Sequence, residues 1–406
     1  MKTRPFEIPE AAVWSAWKSV RANQGSAGVD AVNIKEYEKD LKNNLYKLWA
    51  RMSSGSYMPP PVLLVEIPKK GGGKRPLGIP TVSDRVAQMV VKQALEPGID
   101  KVFHEDSYGY RPWKSGIDAL KICRARCWEY NWVLDLDIKG FFDNIPHDLL
   151  MKAVERHTSC KWHLLYIKRW LEAPLQNREG EQTERPKGTP QGAVISPLLA
   201  NLFLHYCMDS CLKRNYPQCP FERYADDAVI HCRTEAEAQE LKETLGKRLE
   251  ECGLQMHPEK TKIVYCKDAN RKDNYPNTKF DFLGYGFQPR VAKNKRGEMF
   301  VSFIPAISDK ARTSIREKIR ECKTLQATNS ELPDIARELN PKLRGWISYY
   351  GKFYKSKLDH TLTAVTYRLI SWARRKYKKL RGRFKNAYKW VRRIQKSHPN
   401  LFVHWT

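Results

Sequence analysis

The chain has 406 residues, 41% of them hydrophobic, which suits two or three domains with a sizeable core and excludes global disorder. No apolar run reaches the roughly 18–20 residues of a membrane span, and the opening MKTRPFEIPEAAVW lacks the apolar stretch of a secretory signal, so a cytoplasmic protein with no membrane partner is expected. The net charge is +27, and residues 291–406 hold 28 Lys and Arg against 8 Asp and Glu, far more than solubility needs, so a polyanion is the expected partner of that region.

In chain order, residues 9–57 read as helices. Apolar residues recur at helical spacing in Ala12, Trp14, Trp17 and Val20, and again in Tyr37, Leu41, Leu45 and Leu48, with a loop from Asn23 to Asp30 between them. VLLVEIP at 62–68 reads as a strand. The turn Lys69-Lys70-Gly71-Gly72-Gly73-Lys74-Arg75 then gives a hairpin with a glycine-rich tip. A helix is expected over 82–96, ended by Pro97-Gly98. A strand follows at 131–138, then helices at 146–157 and 160–171. The loop Gly188-Thr189-Pro190-Gln191-Gly192 leads into an apolar helix over 196–214. FERYADDAVIHC at 221–232 reads as strand, tight turn, strand, and 235–252 as an amphipathic helix. Short strands are expected at 261–266, 280–287 and 300–304. After Pro305 the pattern turns to basic helices at 309–323, 333–355, 357–380 and 384–397, which places a domain boundary near 305.

The chemistry-bearing residues are carboxylates in apolar surroundings. Asp226 and Asp227 are adjacent and flanked by Tyr224-Ala225 and Ala228-Val229-Ile230. Alone, Asp-Asp is also a favourable turn dipeptide. Asp135 and Asp137, however, alternate with apolar residues in a second strand and so share one face. Carboxylates there are costly without a cation, and two such strands in one sheet bring three carboxylates around two metal ions. Oxygen ligands of this kind suit Mg²⁺, and a two-metal clamp serves in-line phosphoryl transfer. The ten cysteines contain no C-x-x-C pair. They read as reduced, mostly buried thiols; the competing reading is a zinc site of His205, Cys207 and Cys211.

Tyr224-Ala225-Asp226-Asp227 resembles the active-site hairpin of reverse transcriptases, and Asp137-Ile138-Lys139-Gly140-Phe141-Phe142-Asp143 resembles their first catalytic strand. The loop at 188–192 with Ser196-Pro197-Leu198-Leu199-Ala200-Asn201 resembles the helix behind the templating pair. Segments at 23–30, 79–85, 107–112, 282–285 and 344–350 resemble, more narrowly, bacterial group II intron-encoded proteins, which are both reverse transcriptase and maturase. The resemblance implies an α+β right-hand polymerase, with fingers and a palm bearing an antiparallel sheet, followed by an all-α basic thumb and maturase region. Its divisions would be an N-terminal extension (1–60), fingers and palm (61–304), and thumb with maturase region (305–406).

The same resemblance implies roles. Asp137, Asp226 and Asp227, with the Ile138 carbonyl, would bind two Mg²⁺ ions. Lys69 and Arg75 would grip the triphosphate of a deoxynucleoside triphosphate, or be ordinary loop charge. Phe142 would exclude a 2′-hydroxyl, or be core. Gln191 would contact nucleotide or template, and Lys260, with Lys262 as rival, would approach the leaving pyrophosphate. Phe282 to Tyr285 would hold the end of the DNA primer on an RNA template, or be core. Residues 372–393 carry eleven Lys or Arg and no acid, interleaved with Trp372, Tyr377, Phe384, Tyr388 and Trp390. Arg374, Arg375, Lys378, Lys379, Arg381 and Arg383 would bind group II intron RNA, although most of those aromatics are expected to pack helices together. Many relatives continue past a Leu-Phe-x-His-Trp segment into a nuclease region. Here Leu401-Phe402-Val403-His404-Trp405 is followed by Thr406, so second-strand cutting is not expected of this chain. Competing readings are a domesticated relative in DNA repair or phage defence, a non-catalytic RNA-binding splicing factor, and a two-metal nuclease.

Overall fold

The computed structural model describes residues 5–68, 73–294 and 296–405. Helices α1 (Glu10–Asn23), α2 (Ile34–Lys39) and α3 (Leu41–Ser53) precede strands β1 (Val62–Pro68) and β2 (Lys74–Ile79). Then come α4 (Val82–Ile99), α5 (Gly116–Glu129), β3 (Trp132–Leu136), α6 (Phe141–Asn144), α7 (His147–Glu155) and α8 (Lys161–Glu172). Short strands β4 (Leu175–Gln176) and β5 (Gln182–Thr183) lead to α9 (Ser196–Leu204), a π-helical turn (His205–Asp209) and α10 (Ser210–Asn215). The hairpin β6 (Phe221–Tyr224) and β7 (Asp227–Cys232), α11 (Glu235–Glu251), β8 (Lys262–Tyr265), β9 (Phe280–Phe282), β10 (Tyr285–Lys293) and β11 (Met299–Ile307) follow. The chain closes with α12 (Asp309–Arg320), α13 (Lys323–Gln326), α14 (Leu332–Tyr350), α15 (Lys355–Lys376) and α16 (Phe384–Ser397). This is the expected α+β order with a helical last quarter. No helix among the described residues is long and apolar enough to cross a membrane.

The chain forms two compact units, one of Met1–Ala119, Asp135–Ile230 and Ala236–Thr261, the other of Leu120–Leu134, His231–Glu235 and Lys262–Thr406. Residue 305 falls inside β11.

In the first unit, β1 and β2 pair antiparallel from Leu63↔Ile79 to Pro68↔Lys74. The two-residue strand β4 joins β1 in parallel through Val62↔Leu175, and β5 closes that sheet. The hairpin β6–β7 is antiparallel, with Tyr224↔Asp227 its last pair. Helix α4 starts where the Thr81 hydroxyl accepts from the Asp84 backbone N–H at 3.2 Å. It does not end before Pro97 as expected but runs on to Ile99. In the last turn a proline forfeits only its own donor, and the Asp100 N–H still reaches the Glu96 carbonyl.

The second unit is built on a helical core that includes Ile315, Leu339, Leu343, Leu358, Val365 and Trp372. The expected strand at 280–287 is two strands. Leu283 (φ 49°) and Gly284 (φ 78°) both lie in the left-handed region, so β9 turns back on β10 with Phe282↔Tyr285 paired.

Inside the first unit, α4 carries a buried polar relay. Asp84 Oδ1 accepts from the Tyr57 hydroxyl (2.8 Å) and the Trp170 indole N–H (2.7 Å), and Oδ2 from the Gln88 amide (2.9 Å). Gln88 in turn accepts from the backbone N–H of Val194 (2.8 Å) and Ile195 (3.3 Å) at the entry to α9. Burial pushes the Asp84 carboxyl up from 3.8 to about 6, against the lowering effect of these three donors. Its folded value lies above its unfolded one, so the stability it contributes is full below pH 3.8 and is lost as pH rises through about 6. Urea unfolding of wild type and Asp84→Asn should therefore show a wild-type advantage that shrinks by about 2 kcal/mol between pH 4 and pH 7.5. An advantage that grows with pH would contradict a carboxylate that resists ionisation.

Candidate active site

Every residue of the carboxylate cluster belongs to the first unit. Asp226 occupies the two-residue turn between β6 and β7, and Asp227 opens β7. Asp137 follows β3 directly. Its backbone is locked by the His257 N–H to the Asp137 carbonyl (2.8 Å) and the Lys139 N–H to the Gln255 carbonyl (2.8 Å), which flank an antiparallel bridge between Ile138 and Met256. These bonds use the Asp137 carbonyl and leave the Ile138 carbonyl out of the bridge. Thr261 adds a hydroxyl contact of 3.3 Å to the same Asp137 backbone.

The carboxylates share one electrostatic environment. Burial raises the Asp226 carboxyl above its ordinary range, and the Asp137 charge raises it further. A hydrogen bond from its own backbone, Arg75 and Lys260 work against the rise. Lys260 reaches both Asp137 oxygens, at 3.2 and 3.3 Å. Tyr110, raised chiefly by burial, also feels the charges of Asp226 and Arg75. The structure thus brings Asp137, Asp226, Arg75 and Lys260 together, with Asp227 next to Asp226 in the chain and exposed. Asp137 and Asp226 offer oxygen donors, and the like-charge crowding at Asp226 is what a hard divalent cation relieves.

Beside them lies a second cluster. The Arg75 guanidinium donates to Gln191 Oε1 at 2.6 Å, and the Gln191 amide reaches the Asp143 carboxylate at 3.3 and 3.4 Å. Phe142, buried and edge-on to Phe141, gives its carbonyl to the Thr189 N–H at 2.7 Å. The loop sits this close because Gly188, at φ +83°, has no side chain; a Cβ would meet the Asp143 carbonyl oxygen at 2.7 Å. Lys69, with Gly71 and Gly72 of the hairpin tip, lies outside the described residues.

The turn itself is strained and braced. Ala225 holds φ 57°, a region that a β-carbon disfavours. Behind it, Arg223 is fully buried and forms a two-pronged pair with Asp209 (2.6 and 2.8 Å), also fully buried. Its remaining nitrogen donates to the Asn201 side-chain oxygen (2.9 Å) and to the Ala225 carbonyl (3.0 Å). Asn201 donates to the Gly109 carbonyl at 2.6 Å. Gly109 lies so close that a Cβ there would come within 2.4 Å of the Ala225 nitrogen. Sequence reasoning passed over Arg223 and Asp209. Their signal was a charge inside an apolar strand and an acid inside an apolar helix, which burial requires to be paired.

The remaining expected site residues lie in the second unit. Phe282 and Tyr285 are buried, and the Tyr285 hydroxyl donates to the Tyr349 carbonyl, so their side chains pack the core. Arg375 is exposed and donates from one guanidinium nitrogen to the Leu325 carbonyl at 2.6 Å, and Arg374 is half-buried. Lys378, Lys379, Arg381 and Arg383 are exposed. Trp372 is fully buried, and Tyr377 and Trp390 lie 5.2 Å apart in the same core, whereas Phe384 and Tyr388 face outward. All ten cysteines are free.

The family model for reverse transcriptase (RNA-dependent DNA polymerase) matches residues 67–287, and that for the group II intron maturase-specific domain matches residues 312–391. Protein YkfC of Escherichia coli (strain K12) is 33% identical over 325 residues, 70% of this chain and 81% of YkfC. The group II intron-encoded protein LtrA of Lactococcus lactis subsp. cremoris is 37% identical over 192 residues, 47% of this chain and 32% of LtrA, so the matched region spans about a third of that relative. Telomerase from Candida albicans, solved with a fragment of telomeric RNA, aligns with a TM-score of 0.48 and 14% identity over 91% of this chain and 67% of that one.

Removing Arg223 leaves Asp209 buried without its cation. Arg223→Met should cost about 3–5 kcal/mol in urea unfolding. Arg223→Met combined with Asp209→Leu should recover much of that loss, and a double variant no more stable than the single one would disprove the pairing.

Proposed function

The chain belongs to the reverse transcriptase (RNA-dependent DNA polymerase) family and carries a group II intron maturase-specific domain, and from that premise we propose that it extends a DNA primer on an RNA template at Asp137, Asp226 and Asp227 and binds group II intron RNA through its last quarter. The observation that carries the polymerase reading is the meeting of Asp137, Asp226, Arg75 and Lys260 in one field.

Asp137, Asp226 and Asp227 would hold two Mg²⁺ ions, with the Ile138 carbonyl as a further oxygen. Bound there, such ions supply activation of the primer hydroxyl and neutralisation of charge on the leaving pyrophosphate. The chain's own residues do the positioning. Asp137 is fixed by its backbone bonds to Gln255-to-His257 neighbours and by Lys260, whose ammonium lies where a departing phosphate would take over its charge. Arg75, a fork of donors, exchanges its Gln191 partner for triphosphate oxygens as a deoxynucleoside triphosphate arrives. Gln191, held between Arg75 and Asp143, then faces the nucleotide. Phe142, fixed by its carbonyl bond to Thr189, presents a ring that leaves no room for a 2′-hydroxyl.

The exposed Lys378, Lys379, Arg381 and Arg383, with outward-facing Phe384 and Tyr388, suit phosphate contact and base stacking. Arg374, half-buried, and Arg375, exposed but with one guanidinium nitrogen bonded to the Leu325 carbonyl, add charge to that surface. The maturase-specific match over the same helices supports intron RNA as the partner.

Replacing Asp226 and Asp227 by Ala should lower primer extension by more than about 1000-fold while RNA affinity stays at the wild-type level. Sustained DNA synthesis by that variant would refute the site. Phe142→Ala should reduce discrimination between deoxy- and ribonucleotides, read as the ratio of their kcat/KM values, by roughly 10–200-fold. A ratio that holds while stability falls would assign Phe142 to the core alone.

A further inference from the structure

Away from the carboxylates, the first unit contains a cavity of about 350 Å³ walled by α7, the π-helical turn, α10 and α11. It shares no residue with the carboxylate site. Its lining includes Lys152, Arg156, Tyr206, Arg214, Arg248 and Cys252, and no Asp or Glu among the described residues. Lys152, Arg156 and Arg214 are exposed at its mouth, and none of the three has a hydrogen-bond or ion-pair partner among the described residues. Arg248 is different. It forms the wall, donating to the carbonyls of Tyr206 (3.4 Å) and Cys207 (3.3 Å) and meeting Glu251 at 3.1 Å.

Three cations at one mouth without ion-pair partners repel one another, and an anion placed between them relieves that repulsion. The π-helical turn His205–Asp209 adds a second observation. Such turns interrupt a helix at a cost in regular bonding and frequently mark functional positions. Here the turn carries Tyr206 to the cavity, where the Arg156 guanidinium lies over its ring at 5.5 Å and His157 binds its hydroxyl at 2.7 Å. A guanidinium stacked on a phenol, beside two further cations, joins a flat face to a phosphate-binding corner. The volume is in the range of small-molecule pockets.

We propose that this cavity takes one nucleotide of an RNA strand, its phosphate between Lys152, Arg156 and Arg214 and its base on the face that Tyr206 and Arg156 form. The RNA contact of the chain then extends beyond the maturase helices to the outer surface of α7 and α10. The proposal rests on the reading that the chain binds RNA; wild-type affinity tests that reading, and the difference between wild type and variant tests the cavity.

The experiment uses the full chain with a labelled oligouridylate, followed by fluorescence anisotropy across a salt series. The variant Lys152→Gln, Arg156→Gln, Arg214→Gln is compared with Lys18→Gln, Lys101→Gln, Lys161→Gln, which removes the same charge from exposed positions elsewhere in the unit. The cavity variant should bind about tenfold or more weakly, and the slope of log affinity against log salt should shrink by about 2, as expected for three lost phosphate contacts to a single strand. Equal changes in both variants, or no change in either, overturn the proposal. Uridine monophosphate as competitor separates the sources. If it binds wild type and not the cavity variant while oligouridylate affinity is the same in both, the cavity takes a free nucleotide and the strand assignment fails. Matching unfolding midpoints and matching primer extension at saturating primer and template confirm that the variant is folded.

Discussion

Asp226 and Asp137 carry like charges into one partly buried space, and the residues around them in the first unit hold them there. The turn between β6 and β7 cannot do this alone, because Ala225 sits in a backbone region that an L-residue resists. The restraint comes from behind. Arg223 ties the Ala225 carbonyl to Asp209 and Asn201, and Gly109 lets the neighbouring chain lie against the turn. A buried ion pair adds little net stability over an apolar core. Its use here is geometric, since a guanidinium with every prong engaged has one orientation, and the turn carbonyl inherits it.

A similar logic governs the loop that carries Gln191. Asp84 is an acid kept where ionisation is disfavoured, yet three donors converge on it. Through Gln88 that network fixes the backbone of Val194 and Ile195, and through them the loop carrying Gln191. Gly188 and the Thr189 N–H clamp the other end of the loop to Asp143 and Phe142. Asp137, Phe142 and Gln191 therefore stand on backbone restrained by neighbouring segments, and Lys260 and Arg75 are the exposed members of the site.

What could be read from the residues was what periodicity encodes. The Asp-bearing strand, the Tyr224-to-Asp227 hairpin and the basic helices all follow spacings of about 2 or 3.6, and they lie where those spacings put them. Features set by a single backbone angle or by tertiary pairing were not legible. Leu283 and Gly284 reverse a run that alternates like one strand. Pro97 reads as a stop, but a helix in its last turn loses only one bond to it. Strands β4 and β5 have two residues each and exist through pairing, β4 with β1 and β5 with β4. The apolar run of 196–214 gives no sign of the π-helical turn at 205, because one extra residue in a helix leaves composition unchanged. The brace at Arg223 was visible only as an anomaly, a charge in the wrong company, and its partner lies fourteen residues earlier in the chain.

The charge excess needs a similar distinction between count and placement. A net charge read from sequence treats every Lys and Arg as available to a polyanion. In the last quarter, Arg375 is turned to the Leu325 carbonyl, Lys376 to Ser330 and Glu331, and Lys357 with Arg312 to Asp309. Asp309 itself is held far below the ordinary carboxylate range, chiefly by its bond to Lys279. These cations are committed to joining helices, as Trp372 is committed to the core. What remains for phosphate is a narrower set, exposed between α15 and the first turns of α16, where no acid interrupts the run. In the first unit, whose share of the excess is small, Lys152, Arg156 and Arg214 nonetheless stand together without counter-ions. Affinity for a polyanion depends on cations left unpaired at phosphate spacing, so a region's net charge is a poor guide to where a strand is gripped.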